Sequence, residues 1–458
     1  MGLFVYTQKG SIISTVDLPT TEIIEPKMNR EDMTSLGNCF EEHYFANIKE
    51  KPELFIGVEL EYPIVNISGK ATSIQVATDM MRHISNQNGF TIVKRDDRGN
   101  PIELQHESGD LILFEVTYNT LEFAFAKAKN IGSVEERHKE YLENIQYYLR
   151  QNGHELQGLG INPNLENNDN RPVDTGRYRM LMNYLKLGEG KPNMHPYTGY
   201  AGFICGNQVQ FDVSRKSFLR VINAFNKIEA AKAFLFANSP FDHMDDMALT
   251  RDYFWEYSMH GLLKNNVGIY SEEFQTEAEY RQYQEESAMF YVIRDNCYYY
   301  FKPITVKSFF EQEKFAAYSE TGEICYFVPK ADDFKNHRSY HYQELTKRGT
   351  IEFRSTCTQP FETTFAPIAL HLGLLANLVK LEEILESTEF FIEFGRDYSK
   401  LRRQFSRKKL SDLEQRMVKD FSKTLLDCAH EALLLRGYSE EKYLTPLYTS
   451  LIDDSGAL

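Results

Sequence analysis

The segment Phe55-Ile56-Gly57-Val58-Glu59-Leu60-Glu61-Tyr62-Pro63 alternates with the period of a β-strand. Successive strand side chains point to opposite faces, so Ile56, Val58, Leu60 and Tyr62 form one apolar face. Phe55, Glu59 and Glu61 share the other. A chain carrying this strand must build a sheet that buries one side and leaves carboxylates on the opposite side. Two carboxylates held side by side repel and are poorly solvated, and a cation relieves both costs. Oxygen ligands of this kind suit Mg²⁺, which combines a few carboxylates with the phosphates of a nucleotide. Alone, the same pattern also describes two surface glutamates on a solvated strand face.

The 458 residues allow about three domains by length, although a large antiparallel α+β enzyme can form one continuous unit. With 42% hydrophobic and 26% charged residues the chain can build a sizeable core and is not a disordered segment. Its net charge of −15 argues against a broad nucleic-acid surface. An anionic ligand such as ATP would therefore need metal ions and local arginines to enter. Cys39, Cys205, Cys297, Cys325, Cys357 and Cys428 are scattered without a C-x-x-C pair. That pattern suits reduced thiols better than a zinc site or a disulfide framework. No run of roughly 18 apolar residues is present, and the N-terminus lacks a basic region followed by an apolar stretch. Tyr6 stands where a myristoylation signal needs Ser or Thr. The expectation is a soluble cytoplasmic protein with no membrane or nucleic-acid partner, a homodimer being left open.

Periodicity and turn chemistry predict a helix from Arg30 to Lys49 capped by Asn29, then a mainly β region over 54–126 with one helix at 73–87. Asp96-Asp97-Arg98-Gly99-Asn100-Pro101 is a turn, followed by strands at 102–106, 111–117 and 120–126 in an antiparallel meander. A helix is expected at 133–151. The Gly-, Asn-, Pro- and Asp-rich stretch 157–200 reads as a long loop region enclosing a helix at 176–186. Beyond it come a strand at 203–213, a helix at 215–237, strands at 289–294 and 297–302, a helix at 304–313 and a strand at 350–355. The remainder, 363–446, is largely helical. Gly158-Leu159-Gly160 runs into Pro163 where a dinucleotide loop needs its third glycine, and Gly190-Lys191 lacks the rest of a phosphate loop.

Three further places repeat the logic of the first strand. Glu115 and Glu122 flank a turn between neighbouring strands and can converge. In Thr350-Ile351-Glu352-Phe353-Arg354-Ser355, alternation puts Glu352 and Arg354 on one face, where a carboxylate can hold metal and a guanidinium an anionic oxygen. Gln208, Gln210 and Asp212 share a face of a fourth strand. Each has a plainer alternative, such as a surface ion pair worth roughly 0–1 kcal/mol. Four such strands in one chain shift the balance.

On these residues the chain resembles the glutamate–cysteine ligases (γ-glutamylcysteine synthetases) and related carboxylate–amine ligases of the glutamine synthetase-like fold, over about residues 55–361. Gly57-Val58-Glu59-Leu60-Glu61 is similar to the family's opening G-x-E-x-E strand, and Glu115 and Glu122 stand where its next strands carry acids. Gly176-Arg177-Tyr178-Arg179-Met180-Leu181-Met182-Asn183-Tyr184 is similar to the plant-type G-R-Y-x-x-M-x-N-Y pattern. Asn207-Gln208-Val209-Gln210-Phe211-Asp212 resembles the metal-proximal V-Q-V-N-x-D strand, with Gln210 departing from Asn. Ala237-Asn238-Ser239-Pro240-Phe241 matches a family pentapeptide, followed by Arg251 and Trp255 in place. Met289-Phe290-Tyr291-Val292-Ile293-Arg294 resembles P-M-Y-F-V-Y-R, and His337 precedes Glu352-x-Arg354 as the family's His does.

The resemblance implies a curved, mostly antiparallel sheet with flanking helices, an α+β core over 1–361 with a C-terminal helical region, 362–458, packed on it. It implies ATP as co-substrate and about two or three Mg²⁺ on the concave face, held by Glu59, Glu61, Glu115, Glu122, Glu352 and Gln208. Arg354, Arg294 and Arg251 are the expected catalytic arginines, and Arg348, Arg177 and Gln210 the expected substrate-binding residues. The implied reaction joins L-glutamate to L-cysteine through γ-glutamyl phosphate. A same-fold ligase using another amine, or a non-catalytic nucleotide-binding regulator, is the alternative. The pentapeptide reads physically as a helix end and turn, Trp255 as core, and Cys205 and Cys357 as buried small apolar residues.

Overall fold

The strand Ile56–Asn66 lies at the centre of a nine-stranded sheet, and every pairing in that sheet is antiparallel. A computed structural model describes residues 30–452 other than 88, with side chains from Leu36 onward. On one side the central strand pairs with Gly206–Asp212, which pairs with Thr350–Cys357 and then Gln343–Leu345. On the other it pairs with Thr120–Ala128, followed by Leu111–Phe114, Pro101–His106 and Phe90–Arg95. The short strand His154–Leu156 pairs with the far end of the central strand.

The apolar half of the alternation is what the sheet buries. Ile56, Val58, Leu60 and Tyr62 are at most 2% exposed, and burial of such side chains stabilises by about 1.5–3 kcal/mol each. Helices cover this side. In Ile131–Gln151 the buried positions Ile131, Val134, His138, Tyr141, Ile145 and Leu149 recur at helical spacing, and the His138 ring stacks on Tyr62. Phe353 on the sheet meets Phe225 of helix Phe218–Lys227 and His371 of helix Ala366–Ala376. Helix Ala366–Ala376 is apolar all round and buried at nearly every position, with Gly373 packed directly on Ala429 of helix Asp412–Arg436. Among the described residues no single helix is long and apolar enough to cross a membrane.

A second, four-stranded antiparallel meander comprises Ala288–Arg294, Cys297–Thr305, Phe315–Tyr318 and Ile324–Phe327. Its first two strands were expected and its last two were not: they are four residues each, too short for alternation to register. The other departures are local. The first helix is Arg30–His43 and stops short of Lys49, and its expected cap, Asn29, lies outside the described residues. The strand after Leu111 stops at Phe114 because Val116 adopts a left-handed φ of 59°, which breaks the extended run. The helix expected over 215–237 is two helices, Phe218–Lys227 and Glu229–Phe236, interrupted at Ile228. The helix expected over 304–313 is only Val306–Phe310, because the strand before it runs through Thr305.

Arg402, from helix Tyr398–Phe405, enters the core with its side chain 2% exposed. It donates to Glu229 at 2.5 Å, to both oxygens of Asp252 at 2.6 and 3.0 Å, and to the Ser355 carbonyl at 3.0 Å. Lys232 completes the cluster with a 2.6 Å contact to Glu229. The C-terminal helices are thereby tied to the back of the strand that carries Glu352 and Arg354. Removing one partner of a buried ion cluster strands the others without compensation, at a cost of about 3–5 kcal/mol. Arg402→Ala is expected to lower the thermal unfolding midpoint by several degrees. An unchanged midpoint would show that the cluster contributes nothing net.

Candidate active site

The opposite face of the same strands carries the acids. Register places Glu59 across from Gln208, and Glu61 directly across from Glu122. Glu352 lies across from Gln210 on one side and Glu344 on the other. Glu115 follows strand Leu111–Phe114, and its N–H donates to the Thr120 carbonyl at 3.1 Å, so the turn folds it back toward Glu122. Glu59, Glu61, Glu115, Glu122, Gln208 and Glu352 all line one cavity of about 600 Å³. So do Arg177, Arg251, Arg348 and Arg354.

Crowding shows in the acidities. Burial, with the charge of Glu352 beside it, pushes Glu59 up to about 7. Burial also pushes Glu61 up to about 7, with Arg251 opposing and Glu115 reinforcing the shift. Glu122 is raised well above the carboxylate range by burial and by Glu115, Glu59 and Glu61. Glu352 goes the other way: burial raises it, but Arg354, Arg338 and Arg348 together outweigh burial and hold it below the usual value.

Neutral amides space the acids. Gln208 donates to Glu61 at 2.9 Å, while its carbonyl oxygen accepts from Arg354 at 3.3 Å. Its oxygen is thus engaged by a guanidinium, where the resemblance implied a metal ligand. Gln210 bridges Glu59 at 3.1 Å and Glu352 at 3.0 Å, and accepts from Arg348 at 2.9 Å. It holds two carboxylates in register and does not itself line the cavity. The N–H of Gly206 donates to Glu61 at 2.7 Å, and a Cβ there would stand 2.6 Å from the Arg251 guanidinium. Glycine at 206 leaves room for Arg251 on the cavity face of the strand, where it donates to the Arg354 carbonyl at 2.8 Å.

Arg354 is buried, paired with Glu352 and, at 2.9 Å, with Glu344. Arg348 and Arg177 are exposed to solvent. Arg177 lies over Tyr178, whose hydroxyl donates to Glu115 at 2.9 Å. Arg294 needs correcting: it does not line the cavity. Its guanidinium is claimed outside the cavity by Asp333, which it meets at 2.5 and 2.8 Å. Asp212 likewise leaves the acidic group, accepting from Lys49 at 2.8 Å and from the Glu53 and Phe55 amides at 3.0 Å. Both ring nitrogens of His337 are engaged, by Tyr44 and Ser287 at 2.7 Å, so it is a structural residue.

The pentapeptide is also structural. Helix Glu229–Phe236 ends just before it, Asn238 ties down the Gly158 and Thr358 carbonyls at 2.8 and 2.7 Å, and Ser239 accepts from the Thr250 and Arg251 amides. A Cβ at Gly158 would meet the Gln359 carbonyl and one at Gly160 the Asn238 carbonyl, so close backbone packing accounts for both glycines. Trp255 is half-buried but reaches the cavity wall, and Cys205 and Cys357 are buried. Sequence reasoning missed Glu344, on a three-residue strand, and Arg338, on a loop with no periodic signal.

Among the described residues, no group of three or more His, Cys, Asp or Glu is close enough to chelate an ion unaided. The acids converge on a shared cavity with too little positive charge next to Glu61 and Glu122 to settle them. That donor set fits hard divalent cations that complete their shells with water and ligand oxygens.

An acid-floored, arginine-edged cavity on an antiparallel sheet thus sets the class of site, and the comparisons set the family. Residues 55–456 match Glutamate-cysteine ligase family 2 (GCS2), and the chain belongs to that family of ligases. It is 23% identical over 300 residues to the chloroplastic glutamate–cysteine ligase of Medicago truncatula, covering 63% of this chain and 54% of that one. With the Arabidopsis thaliana enzyme it shares 24% over 301 residues, covering 63% and 53%. The chain therefore spans about half the length of these plant relatives. A solved glutamate–cysteine ligase from Francisella tularensis in complex with AMP aligns with a TM-score of 0.40 at 12% identity, over 89% of this chain and 83% of that one.

Because folded Glu122 holds a proton that the unfolded chain releases above about pH 4.5, its contribution to cation-free stability falls as pH rises. Glu122→Gln removes that penalty. In chelator, the variant's thermal midpoint should match the wild type near pH 4, below the unfolded carboxyl's value, and exceed it by several degrees at pH 8. A difference independent of pH would contradict the crowding of these carboxylates.

Proposed function

We propose that the chain is an ATP- and Mg²⁺-dependent ligase that forms γ-glutamylcysteine from L-glutamate and L-cysteine. The observation that carries this reading is the convergence of Glu59, Glu61, Glu115, Glu122 and Glu352 on one cavity in a chain of this family. The γ-phosphoryl group of ATP passes to the side-chain carboxylate of glutamate, giving γ-glutamyl phosphate and ADP. The amine of cysteine then attacks the acyl carbon, phosphate leaves, and the amine loses a proton.

Glu59, Glu61, Glu122 and Glu352, with Glu115, are the residues that would hold Mg²⁺. When bound, the cation neutralises charge on the transferring phosphoryl group and lets a triphosphate approach a carboxylate. The protein's own part is placement. Gln208 and Gln210 fix the carboxylates by amide hydrogen bonds. Arg354, oriented by Glu344 and Glu352, keeps a rigid positive charge beside the acids. Arg251 lines the cavity with its charge beside Glu61 and donates to the Arg354 carbonyl, which fixes it against that strand. Arg348 and Arg177 have exposed guanidinium groups suited to carboxylate or phosphate oxygens.

Incubating the protein with ATP, Mg²⁺ and glutamate, with and without amines, tests the proposal by phosphate release. Release that requires cysteine supports it, a better amine points to another ligase of the fold, and no release with any pair refutes it. Glu59→Gln and Glu352→Gln should each reduce turnover to background while the far-ultraviolet circular dichroism stays that of the wild type. Retained activity in both would remove the carboxylates from the chemistry.

A further inference from the structure

Arg338 differs from Arg354, Arg251 and Arg348, the cavity arginines whose guanidinium groups the protein itself engages. Arg354 is bound by two carboxylates and an amide, Arg251 by a carbonyl, and Arg348 by Gln210. Arg338 makes one loose contact, 3.5 Å from Nη2 to Glu352 Oε1, and lies 5.5 Å over the ring of Tyr340. Its side chain is 45% exposed and lines the cavity.

Its backbone is nevertheless fixed on both sides. His337 is clamped between Tyr44 and Ser287, and Ser339 donates to Glu344 at 2.7 Å; both are buried. A guanidinium held on a rigid support with most of its five donors unfilled is preorganised for an anionic ligand oxygen.

The surroundings select among the anions that a ligase must bind. Arg338 marks the boundary between two parts of the cavity. On one side lies Glu352 with the acidic floor. On the other lies an aromatic wall of Trp255, Phe290, Tyr291 and Tyr340, in which the Tyr340 and Trp255 rings are 5.1 Å apart. This wall offers little to a triphosphate but packs well against a small apolar or thiol-bearing side chain. The loose Arg338–Glu352 contact also pairs a positive with a negative group at short range. An α-amino acid presents the complementary arrangement, a carboxylate close to an amine.

We propose that Arg338 binds the carboxylate of the acceptor amino acid, placing its amine toward the acidic floor and its side chain against the aromatic wall. This inference rests on the ligase reading and assigns the acceptor end of the same cavity. It makes the enzyme selective for α-amino acids over the corresponding simple amines.

The test compares cysteine with cysteamine, which lacks only the carboxylate, and other amino acids with their decarboxylated analogues, in the wild type, Arg338→Ala and Arg338→Lys. Wild-type kcat/KM should favour the amino acid by roughly 10- to 100-fold, as expected for one charge-assisted contact. Arg338→Ala should erase most of that preference by raising the KM for the amino acid, leaving the KM values for ATP and glutamate within a few-fold, and Arg338→Lys should restore part of it. Equal use of cysteine and cysteamine by the wild type, an unchanged preference in Arg338→Ala, or a rise confined to the KM for ATP or glutamate would overturn the assignment. Wild-type protein that releases no phosphate with any amine would refute the ligase reading itself, a result distinct from active enzyme with unaltered selectivity.

Discussion

Glu61 and Glu122 face each other across adjacent antiparallel strands, with Glu115 at the turn beside them and Glu59 one step along the same face. Like charges directly opposite in a sheet destabilise it, and burial makes Glu59, Glu61 and Glu122 weaker acids, raising their pKa values. Nothing about folding alone favours such a row. The divalent cations of the proposed function would offset this cost.

The rest of the molecule offsets that repulsion. The reverse face of the same strands is apolar and nearly inaccessible, packed on helices Ile131–Gln151, Phe218–Lys227 and Ala366–Ala376. Between the acids, Gln208 and Gln210 supply amide donors without adding charge. Behind the strand of Glu352 and Arg354, Arg402 anchors the C-terminal helices through Glu229, Asp252 and the Ser355 carbonyl. The acidic face is therefore carried by a packed and hydrogen-bonded support, with the cavity on its other side.

Most of this support was legible in the sequence because it depends on local periodicity. Ile56, Val58, Leu60 and Tyr62 announce a strand with one buried face, and the turn at Asp96–Pro101 announces the meander. The acidic residues were legible for the same reason: Glu59, Glu61 and Glu352 sit at fixed strand phases. What escaped was set by tertiary packing. Arg294 shares the family strand pattern, yet Asp333, a partner 39 positions away, claims its guanidinium. Glu344 lies on a strand too short to show alternation. Arg338 lies on a loop whose course is dictated by the burial of His337 and Ser339, neither of which carries a periodic signal.

The central claim, that these carboxylates exist to hold divalent cations beside a nucleotide, is tested most directly by crystallography with Mn²⁺ and a non-hydrolysable ATP analogue. Anomalous scattering would locate the ions without reference to activity. The account predicts manganese within roughly 2.0–2.3 Å of carboxylate oxygens of Glu59, Glu61, Glu122 or Glu352, bridged to phosphate oxygens. Nucleotide bound without metal at these side chains, or manganese confined to other surfaces, would contradict it.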